Sequence, residues 1–128
     1  MRDGIERRTV LVVDDDDAIQ VALKIVLEDR GWAVIIAEDG RAALDVLGRI
    51  IPDVIVLDLM MPRMDGFSFV RQLEQRGIRG RTPIIVLTAA GRARPMVAQM
   101  GVDGYLEKPS TIDTLVAEIM RLLPDRQS

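Results

Sequence analysis

The chain has 128 residues, 20 acidic against 17 basic side chains, a formal net charge of -3, and neither cysteine nor histidine. That length suits one domain, and the acidic balance (pI ≈ 5.0) weighs against a general nucleic-acid-binding surface. The missing residue types exclude disulfides, thiolate metal sites, cysteine nucleophiles, imidazole bases and phosphohistidine carriers, so any chemistry must run on carboxylates, hydroxyls, Lys, Arg and backbone.

Residues 1–8 are polar and read as a flexible lead-in. They lack the apolar run of a signal peptide, and no later segment is long and apolar enough to span a bilayer, so a cytoplasmic location is expected. The first apolar run is Thr9-Val13. Ile19, Ala22, Leu23, Val26 and Leu27 then recur at helical spacing, with Gly31 as the C-terminal stop. Ala33-Ala37 is the second run, followed by a stripe of Ala43, Val46, Leu47 and Ile50. Val54-Leu57 is the third run, and Asp65 to Gln75 reads as a helix capped by Asp65 and ended by Gly77. Pro83-Thr88 is the fourth run. The helical segment after it, Arg92 to Met100, is poor, with Gly91 before it and Pro95 inside it. Tyr105-Glu107 is a weak fifth run. A long stripe from Ile112 to Leu123 closes the pattern, with Ser110 and Asp113 resembling a capping box and Pro124 as the stop. Residues 125–128 read as a tail, so 9–124 is the expected domain.

Strands alternating with helices argue for an α/β fold with a parallel sheet covered on both faces. In open sheets of this kind, ligands sit beyond the carboxyl ends of the strands, where the strand order reverses. The residues that end the runs are therefore informative. Asp14, Asp15, Asp16 and Asp17 follow the first, Asp58 ends the third, Thr88 the fourth, and Lys108-Pro109 follows the fifth. Packed carboxylates repel unless a cation bridges them. An all-oxygen set suits Mg²⁺, with Mn²⁺ as an alternative. A carboxylate can also act as a phosphoryl nucleophile. Asp16 and Asp17 are better read as helix N-terminal residues. Asp58, by contrast, ends a wholly apolar strand, where a buried charge needs a partner. The chain has only two lysines against fifteen arginines, yet a lysine stands at Lys108, and the two cations are not interchangeable at a tight site.

The segments VLVVDDDD, DVIVLDLMMPRMDG, PIIVLTA and GYLEKP, in this order, resemble the signature blocks of two-component response regulator receiver domains. The nearest architecture is the chemotaxis-type single-domain regulator, and the likeness runs from about Thr9 to Leu123. The resemblance implies a doubly wound (βα)5 flavodoxin-like sandwich with strand order 2-1-3-4-5. It implies Asp58 as phosphoacceptor, with Mg²⁺ bound by Asp15 directly, by Asp14 through water, by Asp58 and by the backbone carbonyl of Met60. Lys108 would hold phosphoryl oxygens, Thr88 would move toward the phosphoryl group, and Tyr105 would answer by changing rotamer. The Lys108-Pro109 peptide would be cis. The stretch from Thr88 to Gly101 is shorter than is usual in the family, so the output face is expected to be atypical.

The expected function is a stand-alone receiver, a signalling switch rather than a turnover enzyme. It would accept phosphate from a sensor histidine kinase or histidine phosphotransfer protein and signal to a downstream protein by contact. It would do so as a monomer or phosphorylation-dependent dimer, without direct DNA or membrane binding. A phosphorelay intermediate or phosphate sink is the alternative within that class. An aspartate-nucleophile phosphohydrolase needs an acid two residues beyond the nucleophile, where this chain has Met60. An interaction module without phosphate predicts loss of a key acid or of the lysine, and all are present.

Overall fold

The computed structural model describes residues 8–59, 66–78, 80–89, 101–108 and 111–123. The described elements are β1 (Thr9–Val13), α1 (Asp17–Asp29), β2 (Ala33–Ala37), α2 (Gly40–Leu47), β3 (Val54–Asp58), α3 (Gly66–Gln75), β4 (Ile84–Ala89), β5 (Gly104–Lys108) and α4 (Ile112–Leu122). The five strands form one parallel sheet in the order β2-β1-β3-β4-β5. This is the flavodoxin-like arrangement, and its order reverses between β1 and β3. The poor helical segment Arg92 to Met100 lies outside the described residues, as does Asp65.

The strands read as continuous apolar runs because the sheet is covered on both faces. Alternate residues feed two cores. Leu11, Val13, Ile55, Leu57, Ile84 and Val86 pack with Ala43 and Leu47 of α2 and with Phe69, Val70 and Leu73 of α3. Val10, Val12, Val54, Val56, Ile85 and Leu87 pack with Leu23 and Leu27 of α1 and with Leu115, Val116 and Ile119 of α4. Most of the core side chains of β1 and β3 are wholly inaccessible to solvent.

Two helices end in the same way. Gly31 and Gly77 have φ of 85° and 75°, a left-handed conformation that glycine adopts without steric cost. After α1, Gly31 N donates to Glu28 O and Trp32 N to Leu27 O; after α3, Gly77 N donates to Glu74 O and Ile78 N to Leu73 O. Both are Schellman closures. The last helix begins one residue later than the Ser110 reading. Its cap is Thr111, whose hydroxyl accepts from Thr114 N at 3.1 Å, and Ser110 lies outside the described residues. The stripe ending at Ile50 also outruns its helix, since α2 stops at Leu47 and Gly48 caps it.

At the amino edge of the sheet, two aspartates close the ladder in the same way. Asp53 N donates to Thr9 O while Asp53 Oδ2 accepts from Thr9 N; Asp103 N donates to Ile84 O while Asp103 Oδ2 accepts from Ile84 N. Each aspartate ties the strand it precedes to its neighbour.

Helix α2 is capped by Asp39, whose Oδ1 accepts from Ala42 N at 2.8 Å. Asp39→Ala is expected to lower stability by about 1 kcal/mol. The shift should appear in the urea midpoint without a change of slope, and an unchanged midpoint would contradict the cap's role.

Candidate functional site

The carboxyl ends of the strands bring the predicted acids together. Val13 pairs with Leu57 across the β1–β3 ladder, which sets Asp14 and Asp58 level just beyond that rung. One carboxylate oxygen from each of Asp14, Asp15 and Asp58 lies within 4.8 Å of the other two residues' oxygens. Asp14 is wholly buried, Asp58 is 2% exposed, and Asp15 faces solvent. The cluster is therefore rooted in the sheet edge and open on one side.

Local sequence explains the turn that holds it. Asp14 N continues the sheet by donating to Ala37 O at 3.1 Å. Asp14 Oδ1 accepts from Asp16 N at 2.8 Å, and Oδ2 is buried. Asp16 is the N-cap of α1, accepting from Ala18 N and Ile19 N, and Asp17 is the first helical residue. These two acids thus serve the helix, as their position after the run suggested, and leave the first two of the series for the cluster.

Thr88 is 2% exposed on β4. Asp58 pairs with Leu87, so Thr88 stands one step further toward the same edge. Lys108 is the last residue of β5 and pairs with Ala89. Tyr105, on the outer strand β5, pairs with Val86 and is 37% exposed. Met60 and Pro109 lie outside the described residues, and with them the expected carbonyl ligand and cis peptide. Gln20 was not singled out by sequence reasoning. It sits on α1 and donates from Nε2 to the Asp14 carbonyl at 2.6 Å.

Chemically, three convergent carboxylates without sulfur or imidazole are a donor set for a hard cation of Mg²⁺ or Mn²⁺ type. Such a cation would relieve their mutual repulsion.

Comparison with known proteins decides the family. The family model of the response regulator receiver domain matches residues 10–120. The chain belongs to that family. This receiver domain is 44% identical over 116 residues to the response regulator MprA of Mycolicibacterium vanbaalenii, an alignment covering 89% of this chain and 49% of that protein. It is likewise 44% identical to MprA of Mycobacterium tuberculosis, covering 89% of this chain and 50% of the relative. The chain thus spans about half the length of the curated relatives it matches. Among solved structures, the chemotaxis response regulator CheY4 of Vibrio cholerae superposes with a TM-score of 0.82 at 34% identity, covering 91% of this chain and 99% of that one. A putative response regulator from Chloroflexus aurantiacus gives a TM-score of 0.80 at 31% identity, with 94% and 100% covered.

Receiver domains are signalling switches of two-component systems. They interact with histidine kinases or phosphotransfer proteins and bind Mg²⁺ at an acidic pocket. Among the described residues, no helix is long and apolar enough to cross a membrane.

Proposed function

We propose that this receiver domain, within residues 9–124, is a phosphoacceptor switch that takes a phosphoryl group on Asp58 from a phosphohistidine of a sensor kinase or phosphotransfer protein. The observation that carries this reading is the convergence of Asp14, Asp15 and Asp58 at the carboxyl edge of the sheet, with their oxygens within 4.8 Å. Asp58 is the nucleophile because it is the acid that ends the central apolar strand β3. A carboxylate oxygen of Asp58 attacks phosphorus. A P–O bond forms as the P–N bond breaks, and the donor imidazole keeps the bonding electrons and takes up a proton.

Asp15, Asp58 and the Met60 carbonyl would hold Mg²⁺ directly, and Asp14 through water. When bound, the ion supplies positive charge for the transferring oxygens. The Lys108 ammonium neutralises a further phosphoryl oxygen, and the Thr88 hydroxyl donates to the group once it is in place. Tyr105 reports that change on β5, where a partner can read it. The phosphoryl group must favour the active arrangement over the inactive one, or no switch occurs.

Output by protein–protein contact, in the cytoplasm and without direct DNA binding, completes this reading. Its support as a self-contained unit is the match to CheY4, which spans 99% of that chain. The MprA relatives, about twice the matched length, favour a second reading of the output alone, a receiver joined to an effector segment. The mass of the protein in cells of origin separates the two.

Titration calorimetry with Mg²⁺ is expected to give one ion per chain. No binding would leave the acids without their cation and favour an interaction module. Lys108→Ala should still bind Mg²⁺ but fail to switch. After phosphoryl uptake, its amide shifts at Thr88 and Tyr105 would stay at their starting positions, while those of the wild type move. Movement equal to wild type would remove Lys108 from the switch.

A further inference from the structure

Hydrogen bonds around Asp14 hold the turn between β1 and α1. The Asp14 N–H donates to Ala37 O at 3.1 Å, its Oδ1 accepts from Asp16 N at 2.8 Å, and its carbonyl accepts from Gln20 Nε2 at 2.6 Å. In the first two contacts the partner of Asp14 is backbone, Ala37 O and Asp16 N. The third comes from one side chain. Because the partner is a carbonyl, only the amide NH₂ of Gln20 can make it; the amide oxygen would face another acceptor.

Gln20 is well placed to act as a support. It is half-buried in the first turns of α1, and its own N–H donates to Asp16 O at 3.0 Å. The helix is fastened to the sheet by Leu23 and Leu27, both wholly buried. The Asp14 carbonyl belongs to the peptide that joins Asp14 to Asp15. Rotation of that peptide moves Asp15 relative to Asp14. Asp15 is exposed, so the position of its carboxylate depends on the backbone beneath it.

We propose that Gln20 is a positioning residue for the acidic cluster: by gripping the Asp14 carbonyl it sets the spacing of Asp14 and Asp15 and hence the affinity for the divalent cation. This inference rests on the Mg²⁺ reading above. It assigns Gln20 no contact with the ion or the phosphoryl group. Groups that orient metal ligands commonly change affinity strongly when removed, even though they never touch the metal.

The test uses Gln20→Glu and Gln20→Leu. Glutamate is nearly isosteric but has no N–H to donate. It also adds a negative charge near the cluster, which by charge alone would tighten Mg²⁺. A weaker ion in Gln20→Glu therefore reports the lost donor and not the electrostatics. The expected result by calorimetry is a Kd for Mg²⁺ raised about tenfold in both variants. The Mg²⁺ concentration for half-maximal phosphoryl uptake from acetyl phosphate should rise in parallel, with the rate at saturating Mg²⁺ near that of the wild type. Unfolding midpoints in Mg²⁺-free buffer should move little, which distinguishes positioning from a general loss of fold. An unchanged Kd in both variants, or tighter binding in Gln20→Glu, would overturn the proposal while leaving the phosphoacceptor reading intact. Failure of the wild type itself to bind Mg²⁺ would overturn both.

Discussion

Asp58→Asn is expected to take up no phosphoryl group from any donor, at any Mg²⁺ concentration, and to bind Mg²⁺ more weakly than the wild type. The substitution keeps the shape of the side chain at the end of β3, which is buried throughout. It replaces an anionic oxygen with an amide, which is a poor nucleophile for phosphorus and a weaker ligand for a hard cation. The change also removes one of three converging negative charges. Because like charges in a shared site oppose each other, the variant should melt no lower than the wild type in Mg²⁺-free buffer. Loss of labelling thus comes with a fold at least as stable, which excludes unfolding as the cause. Melting curves and labelling measured on the same preparation check both halves. Retained labelling would move the acceptor to another acid.

Ile55→Ala should produce the largest loss of stability. Ile55 sits in β3, hydrogen-bonded between β1 and β4, with no exposed surface. It packs in the core between the sheet and α2 and α3. Removing its outer carbons loses their transfer free energy and opens a cavity that neighbours in a central strand cannot close. The expected cost is about 3–4 kcal/mol, in the upper part of the range for such truncations. Domains of this kind have a total stability of roughly 5–15 kcal/mol, so the variant should remain folded at low temperature but unfold at a much lower denaturant concentration. The urea midpoint should fall with the slope unchanged. A loss below about 1 kcal/mol would mean that the central strand can repack around the gap.

The strands were legible because a parallel sheet buried on both faces needs unbroken apolar runs, and β1 and β3 supply them almost without interruption. The ends of the strands were less legible. The ladder is a matter of backbone hydrogen bonds, so β3 continues through Asp58, and β5 runs from Gly104 to Lys108 around a short apolar centre. Caps showed the same limit. Ser110 and Thr111 are adjacent hydroxyl residues, and the sequence alone does not choose between them. The structure uses Thr111, whose oxygen reaches Thr114 N. The stripe through Ile50 continues the apolar periodicity past the point where Gly48 caps α2.

For the site, position at a strand end was enough to single out Asp14, Asp15 and Asp58, and the structure brings those three acids together. The roles of Asp16 and Asp17 at the helix start followed from the preference of acids for that place. Gln20 was not legible for a specific reason. Its partner is a backbone carbonyl, which leaves no mark in the residue pattern. The paired ladder closures by Asp53 and Asp103 were hidden likewise, since in each an aspartate bonds a backbone N–H on the neighbouring strand.

The most direct test of the phosphoacceptor reading is the intact mass of the protein after incubation with acetyl phosphate, with and without Mg²⁺, for the wild type and Asp58→Asn. The predicted result is a gain of a single phosphoryl group by the wild type that requires Mg²⁺ and is absent in the variant. No gain by a wild type shown to bind Mg²⁺, or an equal gain by Asp58→Asn, would contradict it.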